Sequence, residues 1–327
     1  MDTALIRIAR YHSPLTTPMR FAGATFNARD GMFVEVTGDA GVGIGEVAPL
    51  PGVHRESLDD CVAALEHGST FPPALAFGMS VAHAIAAGDP VLCRPLRERV
   101  GVNALIAGAA DQRSFRNART IKVKIGRGAV ATERAMLQQL MLREPQATIR
   151  LDGNRSMTLD DCSELLTGLD RGRIDYLEEP LIDPFELPAL HFRTGCSIAL
   201  DESLHVPEHR SALETAPGVT THVIKPTLIG SLRAVRERAE RTARQGLHTT
   251  VTSTFESSYT LRVLARLITW LPAADGDHGL ATAGILRDDP CDPPVITDGW
   301  MRTDEPLDCV RLGLRLSWIS MEPVHGD

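Results

Sequence analysis

The strongest constraint on how this chain folds is a repeated beat in its second half. Short β-rich runs recur at residues 102–107, 120–126, 148–154, 174–180, 197–203, 221–227 and 248–254. From the third run onward the starts (148, 174, 197, 221 and 248) lie 23 to 27 residues apart. Amphipathic stretches such as 132–143 and 231–245 separate them. A strand of about six residues, a helix of about a dozen and two short loops fill such a period. Residues 277–282 read as a weaker eighth run. Seven or eight βα units predict an α/β chain closed into a (β/α) barrel of the TIM type, with a doubly wound sheet as the alternative.

Residues 1–95 follow a different pattern. Residues 31–36 alternate as a strand, residues 45–52 end another in a turn-rich loop, and helical spacing appears at 57–66 and 78–87. This predicts a small α+β capping domain, with a boundary at 90–95 and the barrel over 96–282. A barrel takes about 250 residues, so the 327 residues here accommodate one barrel plus one appended unit. The segment 283–327, rich in Asp and Pro, is expected to join the capping domain through a strand at 310–317.

Charge is concentrated in the strand-like runs. The second holds Lys122 and Lys124, the third Arg150 and Asp152, and the fourth Glu178 and Glu179. The fifth holds Asp201 and Glu202, and the sixth Lys225. Placement at C-terminal strand ends is where barrel enzymes keep their chemistry. Lys122 and Lys124 are two apart, so on a strand they share a face about 6.6 Å apart. Their mutual repulsion, together with a nearby divalent cation, is expected to lower their pKa values toward those of useful bases.

Asp152, Glu178 and Asp201 come from consecutive strands. Converged within ~4 Å, each pair would repel by roughly 4 kcal/mol at an effective dielectric near 20. A hard divalent cation removes that cost, and an all-oxygen set suits Mg²⁺. Lys225 is expected to face Lys124 across the barrel. Together these groups suit removal of a proton beside a metal-held carboxylate. Glu179 and Glu202 alternate away from the mouth and read as supports. Arg150 either binds a substrate carboxylate or neutralises the acids.

The formal net charge of -8 argues against nucleic acid, and no apolar run approaches the ~20 residues of a membrane span. The first residues lack the pattern of a secretory leader. Six scattered cysteines, without a Cys-x-x-Cys pair, read as free thiols in a reducing cytoplasm. Gly41-Val42-Gly43-Ile44-Gly45 lacks the helix a phosphate loop needs and reads as a hairpin turn.

Several motifs make the chain recognisable. They are Arg29-Asp30-Gly31, Gly45-Glu46-Val47-Ala48-Pro49-Leu50-Pro51-Gly52, Lys122-Val123-Lys124-Ile125-Gly126, Arg150-Leu151-Asp152-Gly153-Asn154-Arg155 and Leu177-Glu178-Glu179-Pro180. Asp201-Glu202-Ser203-Leu204, Ile224-Lys225-Pro226-Thr227-Leu228-Ile229-Gly230-Ser231 and Glu256-Ser257-Ser258 complete the set. Between Arg29 and Ser258 the sequence resembles the o-succinylbenzoate synthase family, proteobacterial type, in the muconate-lactonizing branch of the enolase superfamily. Gly153 stands where that family often has alanine, and Thr252 where serine is common.

The resemblance implies Lys124 as general base and acid, Lys225 as the opposing lysine, and Asp152, Glu178 and Asp201 as Mg²⁺ ligands. Lys122, Arg150, Asn154, Thr252 and Ser253 become supporting or substrate-contacting residues, and the ligand a small carboxylate. The implied reaction dehydrates 2-succinyl-6-hydroxy-2,4-cyclohexadiene-1-carboxylate to o-succinylbenzoate in menaquinone biosynthesis. Segments 49–52 and 19–21 would form a lid. N-succinylamino acid racemisation or dipeptide epimerisation on the same scaffold, a Schiff-base aldolase and a non-catalytic barrel are the rival readings.

Overall fold

A computed structural model of the chain describes residues 6–21, 24–68, 70–106, 117–307, 312 and 316–321. Its first unit is an antiparallel sheet of β1 (Ile6–Phe21), β2 (Ala24–Gly38) and β3 (Gly41–Val47), covered by α1 (Leu58–His67) and α2 (Pro73–Ala86). The alternation at 31–36 buries both faces of β2. Met32, Val34 and Val36 join Leu65, Leu75 and Met79 in a core beneath the helices. Phe33 faces the other way, into the main core with Ile44.

Ser57 and Asp60 form a reciprocal cap that starts α1. The second helix begins at Pro73, five residues before the expected 78, because proline supplies a ready-made first helical φ. The glycine-rich stretch is strand β3 itself, with the turn just before it. A Cβ on Gly43 or Gly45 would lie 1.9 or 1.8 Å from the Ala82 or Gly78 carbonyl of α2, so glycine permits the helix to lie on the sheet.

After the short α3 (Pro90–Cys93) the barrel begins. Its strands are β4 (Arg99–Val102) and β5 (Ala104–Ile106), interrupted at Asn103, then β6 (Thr120–Lys124), β7 (Thr148–Asp152) and β8 (Ile174–Glu178). There follow β9 (Ile198–Leu200), β10 (Val219–Ile224), β11 (His248–Val251) and β12 (Asp277–His278). The intervening helices are α4 (Val130–Arg143), α5 (Leu159–Leu165), α6 (Leu187–Thr194), α7 (Pro207–Leu213), α8 (Pro226–Ile229), α9 (Leu232–Arg244) and α10 (Ser258–Ile268).

Strands β5 to β11 form one parallel sheet in sequence order. The ends meet through β12, which pairs in parallel with β4 and bridges to the residue after β11 at Thr252 and Gly279. That closure removes the doubly wound alternative.

The C-terminal segment is shared. β13 (Ile296–Thr297) and β14 (Trp300–Arg302) lie antiparallel on β4, whereas β15 (Ile319–Ser320) pairs with β1. Most of the strand expected at 310–317 lies outside the described residues. Leu286 bridges Leu15 of β1, and beyond a register shift Met19 pairs with Phe26 of β2. Cys61, Cys93, Cys162 and Cys196 are free thiols. Among the described residues no helix is long and apolar enough to cross a membrane.

Candidate active site

The charged residues occupy one level of the barrel because the strands stop there. Lys124, Asp152 and Glu178 are the last residues of β6, β7 and β8. Asp201 and Lys225 directly follow β9 and β10. Lys124 pairs in register with Asp152, and Asp152 with Glu178. Four strand steps separate β6 from β10, which sets the two lysines on opposite sides of the mouth.

Within the mouth the side chains form one ionic web. Lys122 Nζ donates to both oxygens of Glu178 at 2.7 and 2.8 Å and lies 2.7 Å from Asp152. Lys124 Nζ donates to Asp152 Oδ2 at 2.5 Å and to Asn154 Oδ1 at 2.6 Å. Lys225 donates to both oxygens of Asp201. Asp152, Glu178 and Asp201 are buried, at 1%, 1% and 3% exposure.

Carboxylate contacts dominate the electrostatics of Lys122 and Lys225. Burial alone would lower the pKa of Lys122, but Asp152 and Glu178 outweigh it and hold the value well above that of a free lysine. Lys225 is likewise raised, burial being outweighed by Asp201 and Glu202. The attraction to carboxylates exceeds the repulsion between ammonium groups. Burial and the charges of Asp152 and Asp201 push Glu178 up to about 8 despite Lys122. Asp152 is pulled well below the usual range because Lys122 and Lys124 overcome its burial.

Glu179 is fully buried and faces away from the mouth. It accepts from the backbone N–H groups of Asp201 and Ser203 at 3.0 and 2.7 Å, and from Arg155 Nε at 3.0 Å. It thereby fixes the backbone that presents Asp201. Glu202 departs from the expected outward alternation. The chain turns into a 3-10 helix at Glu202, so strand periodicity ends before this residue. Its Oε1 accepts from Asn154 Nδ2 at 3.1 Å and its Oε2 is buried without a hydrogen-bond partner. Burial and Asp201 push it up to about 7. A 3-10 turn directly after Asp201 left no signal in the alternation.

The remaining expected residues divide. Asn154 joins the web, between Lys124 and Glu202. Arg150 faces the barrel one layer lower, where its donors go to Asp175 at 2.8 Å and the Asp277 carbonyl at 2.6 Å. Those bonds, and its seat 4.7 Å over the Tyr176 ring, make it a filler of the barrel interior. It neither neutralises the mouth carboxylates nor offers them a free donor. Thr252 Oγ1 donates to the Gly279 carbonyl at 3.2 Å, and Ser253 Oγ lies 2.8 Å from Thr282 Oγ1, so both serve the barrel closure.

Asn154, Arg155 and Glu179 adopt left-handed φ values of 44°, 58° and 38° in the loops beside the carboxylates. Such conformations cost roughly 1–3 kcal/mol each and concentrate at functional sites.

Among the described residues, no three His, Cys, Asp or Glu side chains are placed so as to hold a metal ion. The three acids stand on adjacent strands, but lysine ammonium groups lie between them. The donor set still fits a hard divalent cation: the three carboxylates are buried oxygen donors, and Glu202 Oε2 lacks a partner.

Residues 104–306 match the family described as enolase C-terminal domain-like, and residues 3–86 match the MenC N-terminal domain. With a closed barrel and acids and lysines at its mouth, the chain belongs to the enolase superfamily. The o-succinylbenzoate synthase of Pectobacterium atrosepticum is 33% identical over 301 residues, covering 86% of this chain and 91% of that protein. That of Yersinia pseudotuberculosis is 31% identical over 312 residues, covering 88% and 95%.

The solved o-succinylbenzoate synthase of Thermosynechococcus elongatus, complexed with Mg in its active site, aligns with a TM-score of 0.70 at 25% identity, covering 88% of this chain and 96% of that one. N-succinyl Arg/Lys racemase from Bacillus cereus aligns at 0.81 with 15% identity, covering 98% and 100%, and shares the fold. Within the superfamily this chain is a member of the o-succinylbenzoate synthase family, lyases of menaquinone biosynthesis.

Proposed function

We propose that the lysine–carboxylate web performs this family's dehydration in a division of labour read from the strand ends. Lys124 removes the proton beside the ring carboxylate of 2-succinyl-6-hydroxy-2,4-cyclohexadiene-1-carboxylate, then returns it to the departing hydroxyl on the same face. One C–H and one C–O bond break, water leaves and the ring becomes aromatic. Lys225, on the opposite side, steadies the charge that builds on the substrate.

Asp152, Glu178 and Asp201 would hold Mg²⁺, which when bound supplies positive charge to the substrate carboxylate. Lys124 is held by Asn154, itself oriented by Glu202, which keeps the amine aimed into the mouth. Lys122 balances the carboxylate charge from below.

The hairpin end near Met19 and the loop at 49–52 act as the lid that excludes water. Residues 1–95, with part of the C-terminal segment, form that capping unit over the barrel of 96–282. The working environment is the cytoplasm and the partner a small carboxylate.

The observation that carries this reading is the placement of Lys124 and Lys225 at facing strand ends, each bonded to a buried carboxylate. The purified chain with Mg²⁺ is expected to convert the cyclohexadiene substrate to o-succinylbenzoate. Racemisation of N-succinylamino acids with the cyclohexadiene left untouched would overturn the assignment.

A further inference from the structure

Outside the barrel wall, behind Lys225, lies a second polar cleft that the reaction does not use. It has a volume of about 230 Å³ and lies between α7, α8 and α9, lined by Arg210, Arg238, His205, Leu204, Ile224 and Leu228. Ile224 precedes Lys225 and points to the opposite face of the wall, toward the cleft, and Val223, on the face of Lys225, also borders it.

Two arginines, Arg210 and Arg238, line the cleft, with one acid, Glu214, close enough to act on Arg238. Arg238 Nη1 and His205 Nε2 are both buried without hydrogen-bond partners. Arg210 has one long bond, 3.5 Å to the Leu204 carbonyl. Glu214 is paired with Arg241 through Oε1, and its Oε2 is buried without a hydrogen-bond partner. Burial, with Arg210 and Arg241 alongside, lowers the pKa of Arg238 from the ordinary arginine value, with Glu214 opposing weakly. A buried guanidinium N–H left unbonded costs free energy that an anion would recover, and the planar donor fork matches a carboxylate.

We propose that this cleft binds a small carboxylate with an apolar body, its anionic end on Arg238 and Arg210 and its body against Leu204, Ile224 and Leu228. The aliphatic lining favours such a molecule over inorganic phosphate. The volume suits a molecule of benzoate size, smaller than the usual occupants of enzyme clefts.

Crystals soaked in 4-bromobenzoate are expected to show an anomalous bromine peak in the cleft. In solution, titration of 4-fluorobenzoate followed by ¹⁹F NMR is expected to show a binding event that persists in Lys225→Ala. That event should weaken at least about ten-fold in Arg238→Gln, and also in Arg210→Gln if one variant folds poorly. Inorganic phosphate at equal ionic strength should not displace the probe. The proposal is overturned by a bromine peak confined to the barrel mouth, or by one seen at crystal concentration only. Identical titrations of wild type and both arginine variants, or displacement by phosphate, would overturn it equally.

Discussion

Two buried polar clusters, built of similar residues, do opposite things. One is the seam between the capping sheet and the barrel. There Glu46 accepts from the Ser257 N–H at 3.0 Å and Oγ at 2.6 Å and from Tyr11 Oη at 2.5 Å, while Tyr259 Oη donates to the Ile44 carbonyl at 2.5 Å. Arg29, 1% exposed, donates to the carbonyls of Ala48, Pro49, Thr254 and Phe255. Nearly every polar atom has a partner of suitable kind, and among these residues only Phe255 carries a left-handed φ, 61°.

The other cluster is the barrel mouth. There four acids and three lysines crowd one another, an oxygen of Glu202 goes unbonded, and three neighbouring residues are strained. A satisfied network rigidifies a fold, whereas crowded charge held in place by the surrounding structure is available for chemistry.

The comparison can be broken most forcefully at Lys124. Lys124→Ala is expected to lower kcat by about 10²–10⁴-fold, the usual worth of a general acid–base group, with the melting temperature nearly unchanged. A variant that keeps its rate, or that unfolds, would make the mouth resemble the seam.

Glu179→Gln should act on both properties. Removing a fully buried charge that holds Asp201 and Ser203 is expected to cost about 2–4 kcal/mol in denaturant titrations and to reduce kcat about ten-fold. At the seam, Ser257→Ala removes one hydroxyl from Glu46 and is expected to cost about 1–2 kcal/mol, with kcat within two-fold of wild type. A large loss of rate there would show that the seam takes part in the chemistry.

The smallest effect is a pH slope. Burial raises the pKa of Glu46 from 4.5 in spite of its Ser257 and Tyr11 bonds. The folded protein therefore holds that proton to higher pH than the unfolded chain. This contribution to stability is full below about 4.5 and is lost as pH rises through the folded-state value. The slope is at most about 1.4 kcal/mol per pH unit, the limit for one proton. Glu46→Gln should remove this component from a stability-versus-pH curve.

Much of the barrel was legible because its signals are local. Period-two alternation and a repeat of 23 to 27 residues located the strands, and the charges at their ends marked the barrel mouth. The seam was not legible. Glu46 and Ser257 are 211 residues apart and Arg29 and Phe255 are 226 apart, with no periodicity linking them. Glu202 was misread because a 3-10 turn cancels the strand alternation used to orient it. Arg150 was oriented correctly toward the interior, but alternation carries no information on which layer its donors reach. Spacing revealed the pairing of Lys122 with Lys124 but not the tight contacts of Lys122 to Asp152 and Glu178, which raise its pKa.

The account stands on the mouth acids sharing one divalent cation. Its most direct test is the rate of o-succinylbenzoate formation by chelator-treated protein as Mg²⁺ is added back, for wild type and for Asp201→Asn. Wild type is predicted to be inactive in chelator and to recover fully on a saturable curve, with Asp201→Asn needing far more Mg²⁺. Full activity in chelator, or one recovery curve shared by both proteins, would contradict it.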